Sequence, residues 1–153
     1  MATTASTGSA RPTAASDAAR WDQVTALYAH VEHRLATALQ RAHGLGLSEY
    51  RALAHLVEAP DGELRMQDLA ARIGLNQSSV TRLVGRLITA GFAYRDLCPD
   101  DRRGIYTVVT DAGRTRHDQA RGTYEQTLTD ALEEMAQSSG PQAALVSALR
   151  TVD

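Results

Sequence analysis

The stretch Met66–Thr110, MQDLAARIGLNQSSVTRLVGRLITAGFAYRDLCPDDRRGIYTVVT, decides the fold. Over Met66–Ile73, the residues Leu69, Ala70 and Ile73 fall at the 3–4 spacing of one apolar helical face. Gly74, free to take positive φ, ends that helix. Asn76 is placed to cap a second helix, whose apolar face is Val80, Leu83, Val84, Leu87 and Ile88. Two short helices joined this tightly must cross steeply. The crossing needs a small residue where the backbones meet (Ala70), a glycine in the turn (Gly74) and apolar residues to fill the corner (Leu75, Val80, Leu83). All are present in the order a helix-turn-helix requires.

The second helix carries the chemistry. Between its apolar residues lie Gln77, Ser78, Ser79, Thr81, Arg82, Gly85 and Arg86, and nothing from Gln77 to Ile88 is acidic. Small hydroxyls beside the exposed N–H groups of a helix start suit phosphate contact. Gln and Arg pair bidentately with base edges in a DNA major groove. The bland alternative for such a face is ordinary solvation. The residues that follow argue against it. Gly91 closes the helix, Phe92–Arg95 alternates as a strand, and the β-branched run Ile105–Val109 can pair with it. The loop between them holds Pro99, Gly104 and the adjacent Arg102 and Arg103, as a wing entering a minor groove would.

With both elements in register, the region resembles the MarR family of winged helix-turn-helix regulators, whose wing carries the pattern D-x-R-x-x-x-x-x-L-T. Asp101-Arg102-Arg103 through Val109-Thr110 fits it, with Val109 in place of the usual leucine. SSVTRLVGRLITAGFAYR is similar to the family's recognition helix and the strand after it. The resemblance extends, less specifically, over residues 17–150. It implies a sequence-specific DNA-binding transcriptional regulator, a repressor, that binds a pseudo-palindromic operator as a homodimer. It also implies release by a small aromatic or phenolic effector. DNA contacts are then expected from Gln77, Ser78, Ser79, Thr81, Arg82 and Arg86 in the recognition helix, and from Asp101, Arg102 and Arg103 in the wing.

Composition bounds the rest. At 153 residues the chain suffices for one domain with a core, or a small domain plus oligomerisation helices. No apolar run reaches the length of a membrane span, and the N-terminus lacks a signal peptide's apolar core, so a cytoplasmic protein is expected. A single cysteine, Cys98, rules out an intrachain disulfide and suits a reducing compartment. The net charge of −2 taken alone weighs against nucleic-acid binding. Its distribution points the other way. Arg72, Arg82, Arg86, Arg95, Arg102 and Arg103 face only Asp96, Asp100 and Asp101 in that segment, so positive charge gathers on the expected wing domain while the remainder is acidic.

The expected class is mainly α (α+β), a winged helix-turn-helix domain between N- and C-terminal dimerisation helices. Residues 1–16 are small and polar and read as a disordered leader. Residues 17–47 hold the N-terminal dimerisation helix, capped by Ser16, with a stripe of Val24, Leu27, Tyr28, Val31, Leu35, Ala38 and Leu39. The DNA-binding domain is 48–110, opening on a helix capped by Ser48, with Glu63–Arg65 as a short third strand. Residues 111–153 hold a long helix capped by Thr110 and a last one opening at Pro141, with Leu145, Ala148, Leu149 and Val152 on one side. Three apolar stripes with no sheet to cover them point to a second subunit.

Other sites weigh less. His30 and His33, with Glu32 and distant His117, do not make the converging set a zinc ion needs, and read as solvated or satisfied histidines; no metal or cofactor is expected. No phosphate loop, nucleophile elbow or paired-carboxylate signature suggests an enzyme. Cys98 beside Arg95, Arg102 and Arg103 supports an alternative, thiol-based redox sensing, opposed by Asp96, Asp100 and Asp101. A second alternative is a helical interaction scaffold that does not bind DNA. For an effector pocket, the polar-aromatic residues Trp21, Tyr28, His30, Arg34, Tyr50, Arg51 and His55 lie on the elements that would line it, each also open to reading as interface packing.

Overall fold

The computed structural model describes residues 13–97 and 104–152. In that range the elements are α1 (Ala14–His43), α2 (Leu47–Glu58), β1 (Glu63–Arg65), α3 (Met66–Ile73), α4 (Gln77–Thr89), β2 (Ala93–Asp96), β3 (Tyr106–Val109), α5 (Asp111–Ala136) and α6 (Pro141–Arg150). The sheet is antiparallel in the order β1-β3-β2, with Leu64 opposite Thr107 and Arg95 opposite Thr107 on the other side. This is the mainly α winged helix that the sequence predicts.

The helix-turn-helix forms for the expected local reasons. α3 ends at Gly74, whose φ of +75° is the left-handed conformation a side chain resists. The next N–H, of Leu75, folds back to the Ala70 carbonyl at 2.9 Å. Asn76 then caps α4, its side-chain oxygen accepting the Ser79 N–H at 2.9 Å. Beneath α4, Val80, Leu83, Val84 and Leu87 are buried with Leu69 and Ala70 of α3 and Leu53 and Leu56 of α2 in one core. The underside of α4 is therefore fixed, and its other face is left outward.

Several boundaries shift, each for a local cause. α1 begins at Ala14 instead of Asp17, because Thr13 is its cap and Ser16 is the reciprocal partner three residues on. The Thr13 N–H donates to Ser16 Oγ at 3.1 Å and the Ser16 N–H to Thr13 Oγ1 at 3.3 Å. Of the expected leader, residues 1–12 lie outside the described residues. α2 is capped by Gly46 instead of Ser48, since the Glu49 carboxylate reaches back to accept the Gly46 N–H at 3.0 Å. β2 opens at Ala93, one residue late, because Phe92 is held in the exit from α4: its N–H bonds the Leu87 carbonyl at 2.9 Å. β3 opens at Tyr106, the Ile105 carbonyl being turned to the Met66 N–H at 3.0 Å. Thr110 does cap α5, accepting the Gly113 N–H at 3.0 Å while its hydroxyl donates to the Gly91 carbonyl at 2.7 Å.

The long helices cover one another only in part. Leu35 and Leu39 of α1 are buried, as are Ala120 and Ala131 of α5. Upstream, α1 leaves Trp21 and Tyr28 exposed at 65% and 59%. α6 buries Val146, which is not among the residues of its predicted stripe, and leaves Leu149 and Val152 exposed. On α6 the residue packed deepest inside one chain is thus Val146, beside half-buried Leu145 of the expected stripe. Among the described residues no helix is long and apolar enough to cross a membrane.

Candidate nucleic-acid interface and adjoining cavity

α4 presents Gln77, Ser78, Thr81, Arg82 and Arg86 as exposed residues, with Ser79 half-buried. Two of the short side chains are tied locally. The Ser78 hydroxyl donates to Asn76 Oδ1 at 2.9 Å, and the Thr81 hydroxyl donates to the Gln77 carbonyl at 2.8 Å. The outward residues divide by side. Gln77 and Thr81 turn toward the sheet, where they line a cleft of about 360 Å³ with Arg65, Gln67, Arg95, Gly104 and Ile105. Arg82 and Arg86 turn toward α2, where they line a depression of about 370 Å³ with Ser48, Leu75, Ser79 and Leu83. Arg65 joins the first side because β1 carries it next to Tyr106 of β3. Its Nε donates to the Tyr106 hydroxyl at 2.9 Å, with the guanidinium 5.4 Å above the ring.

This surface has cationic side chains at both ends, Arg65 and Arg95 by the sheet and Arg82 and Arg86 by α2, with hydroxyl and amide groups between them. Such an arrangement suits a polyanion that also presents hydrogen-bonding edges. The wing residues Asp101, Arg102 and Arg103, and with them Cys98, lie outside the described residues.

Of the residues expected around an effector, Tyr28, Tyr50, Arg51 and His55 line one cavity of about 660 Å³, bounded by α1, α2, α3 and α5. The other three do not line it. Trp21 lies further up α1 in solvent, while His30 and Arg34 are drawn to Glu134 of α5. Arg34's hydrogen bond is the main cause holding the Glu134 carboxyl below the ordinary carboxylate range. Sequence reasoning missed Arg72, His117, Arg121 and Tyr124, which also line it, as do the carboxylates Glu58, Asp118 and Glu125. One signal was available: His117 and Tyr124 are seven residues apart on α5 and so share a face.

The cavity is built on a stack. Tyr50 lies 4.5 Å from Tyr124 and 5.3 Å from His117 between ring centroids, near-parallel to both. Arg51 is pinned to Glu32 of α1. Burial disfavours the Arg51 charge, but the Glu32 hydrogen bond and charge prevail and raise it above its ordinary range. The Tyr50 hydroxyl is pushed up to about 12, first by burial and then by Tyr124 and Glu125.

A folded-state value above the unfolded one fixes the sign of the alkaline response. Below about 10 the phenol is protonated folded or unfolded; above it the unfolded chain ionises first, so stability falls as pH rises toward 12. An ultraviolet tyrosinate titration is expected to show one late step near 12. Tyr50→Phe should abolish that step and flatten the alkaline loss of stability. A Tyr50→Phe titration superimposing on the parent's would refute the assignment.

Comparison with known proteins agrees with this geometry. Residues 43–104 match a model of the MarR family. An HTH-type transcriptional regulator of Bacillus subtilis, YkoM, is 30% identical over 73 residues, a match spanning 48% of this chain and 46% of that relative. The chain therefore matches about half the length of its curated relative. Among solved structures, a MarR family regulator from Streptomyces coelicolor in complex with DNA is similar at TM-score 0.73 and 25% identity, over 92% of this chain and 87% of that one. CouR from Rhodococcus jostii, bound to p-coumaroyl-CoA, is similar at TM-score 0.68 and 25% identity over 92% of each chain. The matched segment runs from the end of α1 through the helix-turn-helix to the base of the wing, and the solved structures extend the likeness through the flanking helices. Over residues 43–104 the chain is thus similar to the MarR family, and over 92% of its length it shares the fold of the DNA-bound Streptomyces regulator.

Proposed function

We propose that this protein is a sequence-specific DNA-binding transcriptional regulator, a repressor that acts as a cytoplasmic homodimer on a pseudo-palindromic operator. The observation that carries the reading is α4: its underside is fixed by four buried aliphatic residues, and its outward face holds Gln77, Ser78, Thr81, Arg82 and Arg86 with no acid. The DNA-bound Streptomyces neighbour supports the same use of the fold. Dimerisation is supported by what a single chain leaves uncovered, Trp21, Val24 and Tyr28 on α1 and Leu149 and Val152 at the C-terminal end. Two recognition helices related by a two-fold axis would enter successive major grooves, with half-site centres about 10–11 base pairs apart.

Release by a small aromatic or phenolic effector is part of the same proposal. It is supported by the cavity flanked by Tyr50 and Tyr124, and by the CoA-thioester bound in CouR. The test is selection of bound sites from random duplexes by the purified protein, followed by titration at several salt concentrations. An inverted repeat bound with affinity that falls steeply with salt is expected. Absence of salt-dependent binding to any duplex would refute DNA recognition and favour the scaffold reading. Light scattering that finds a monomer at micromolar concentration would refute the dimer.

A further inference from the structure

Arg86 is not an isolated surface cation. Its Nε donates to Glu49 Oε1 at 3.0 Å, joining the last turn of α4 to the first turn of α2. The same carboxylate uses Oε2 to accept the Gly46 N–H at 3.0 Å, so Glu49 is itself fixed by the start of its own helix. The Glu49 side chain is 21% exposed and Arg86 58% exposed, so the anchor is sheltered and the anchored group reaches solvent. Among the described residues the terminal amino groups of Arg86 have no hydrogen-bond partner. They border the depression that Ser48, Ser79 and Arg82 also line, which sets two hydroxyls beside the Arg86 guanidinium. That is the donor set of a backbone phosphate contact.

We propose that Glu49 is a positioning residue: it holds Arg86 by Nε so that its terminal amino groups meet a DNA backbone phosphate seated between α2 and α4. The inference rests on the DNA-binding reading above. A long arginine side chain loses rotamer freedom when it grips a phosphate, and an arginine already held has less to lose. The carboxylate's charge acts the other way, repelling the phosphate. Its two oxygens are engaged by Gly46 and Arg86, and its side chain is mostly covered, so orientation outweighs repulsion.

The experiment is a double-mutant cycle in full-length protein, titrating the selected duplex across a salt series. Glu49→Gln keeps an oxygen acceptor for the Gly46 N–H and removes the charge that grips Arg86. It is expected to weaken binding about two- to five-fold, the scale of an exposed ion pair. The salt slope should fall by up to about 1, one phosphate contact. In the Arg86→Ala background, where only the carboxylate's repulsion remains to be removed, Glu49→Gln should cause no further loss of affinity or slope. Arg86→Lys approaches the link from the other end. It keeps the charge but lacks the Nε donor, so it should reproduce the loss even if Glu49→Gln folds poorly. Tighter binding by Glu49→Gln, equal losses with and without Arg86, or wild-type binding by Arg86→Lys would each overturn the proposal. A parent protein with no salt-dependent binding fails at the earlier step, the DNA reading, and takes this inference with it.

Discussion

Gly113→Ala is expected to lower the melting temperature by several degrees, although it exchanges a poor helix former for the best one inside a helix. Gly113 lies in the first turn of α5, against the exit of α4. A Cβ built there collides with the Phe92 carbonyl oxygen and lies 2.8 Å from Val109 Cγ2. That carbonyl is already the acceptor for the Thr110 N–H at 3.0 Å, the bond that seats the cap of α5 on the end of α4. The backbone oxygen cannot turn away as a flexible side chain could, so α5 must lift from the wing domain or the bond must break. Overpacking of this kind costs about 1–3 kcal/mol, against a propensity gain of about 1 kcal/mol. In a chain of this length 1 kcal/mol corresponds to about 2–4 °C.

Gly122→Ala supplies the control. It is the same exchange in the same helix, where a Cβ would meet nothing within 4 Å. It should leave stability unchanged or raise it by about 1 kcal/mol. Thermal melts of the two variants side by side distinguish the outcomes. Equal or higher melting temperatures for Gly113→Ala would mean that α5 does not dock on the wing domain as described.

The two glycines show where sequence reading stops. Inside a helical pattern both look alike. What separates them is the position of Phe92, twenty-one residues before Gly113, and nothing in local periodicity carries that distance. By contrast, α3, the turn and α4 are legible nearly to the residue. Their signals are local: Gly74 where the chain needs positive φ, Asn76 where the orphan N–H groups of a helix start need an acceptor, and a 3–4 apolar repeat on each side. The two caps that the sequence misplaces, at Ser16 and Ser48, fail for one reason. A partner three residues on sets each helix start, reciprocally between Thr13 and Ser16 and one-way from the Gly46 N–H to the Glu49 carboxylate, and a lone serine near the boundary does not reveal it.

The cavity is the harder case, because its lining comes from four helices far apart in sequence. The sequence supplies suitable residue types but not their register. His30 and Arg34 lie on α1 as Tyr28 does, yet Glu134, 100 residues beyond Arg34, takes both of them. Tyr124 and His117 reach Tyr50 because α5 runs back antiparallel along α1, with Glu134 beside His30 and Arg34 at one end and Thr123 and Arg116 beside His43 at the other. Stripe periodicity says that such helices have a buried side. It does not say which residue of one helix meets which of the other.

Arg82→Ala is the substitution with the largest expected effect on DNA binding. Arg82 and Arg86 differ by one helical turn and share a depression, but their surroundings differ. Arg86 is held by Glu49, whereas Arg82 has no ion-pair or hydrogen-bond partner among the described residues. Arg82 is also the only long cationic donor in the first turn and a half of α4, the part that reaches base edges when such a helix enters the major groove. An unpaired guanidinium there can adopt the bidentate geometry of a guanine edge. Its loss should cost about 1–3 kcal/mol, a decrease of roughly five- to 150-fold in affinity, and should relax preference at particular base pairs. Arg86→Ala should weaken binding evenly across sequences. Site selection repeated with each variant separates the two roles. An unchanged sequence profile for Arg82→Ala, with weaker binding to every duplex alike, would make Arg82 a second phosphate contact and leave base reading to Gln77, Ser78 and Thr81.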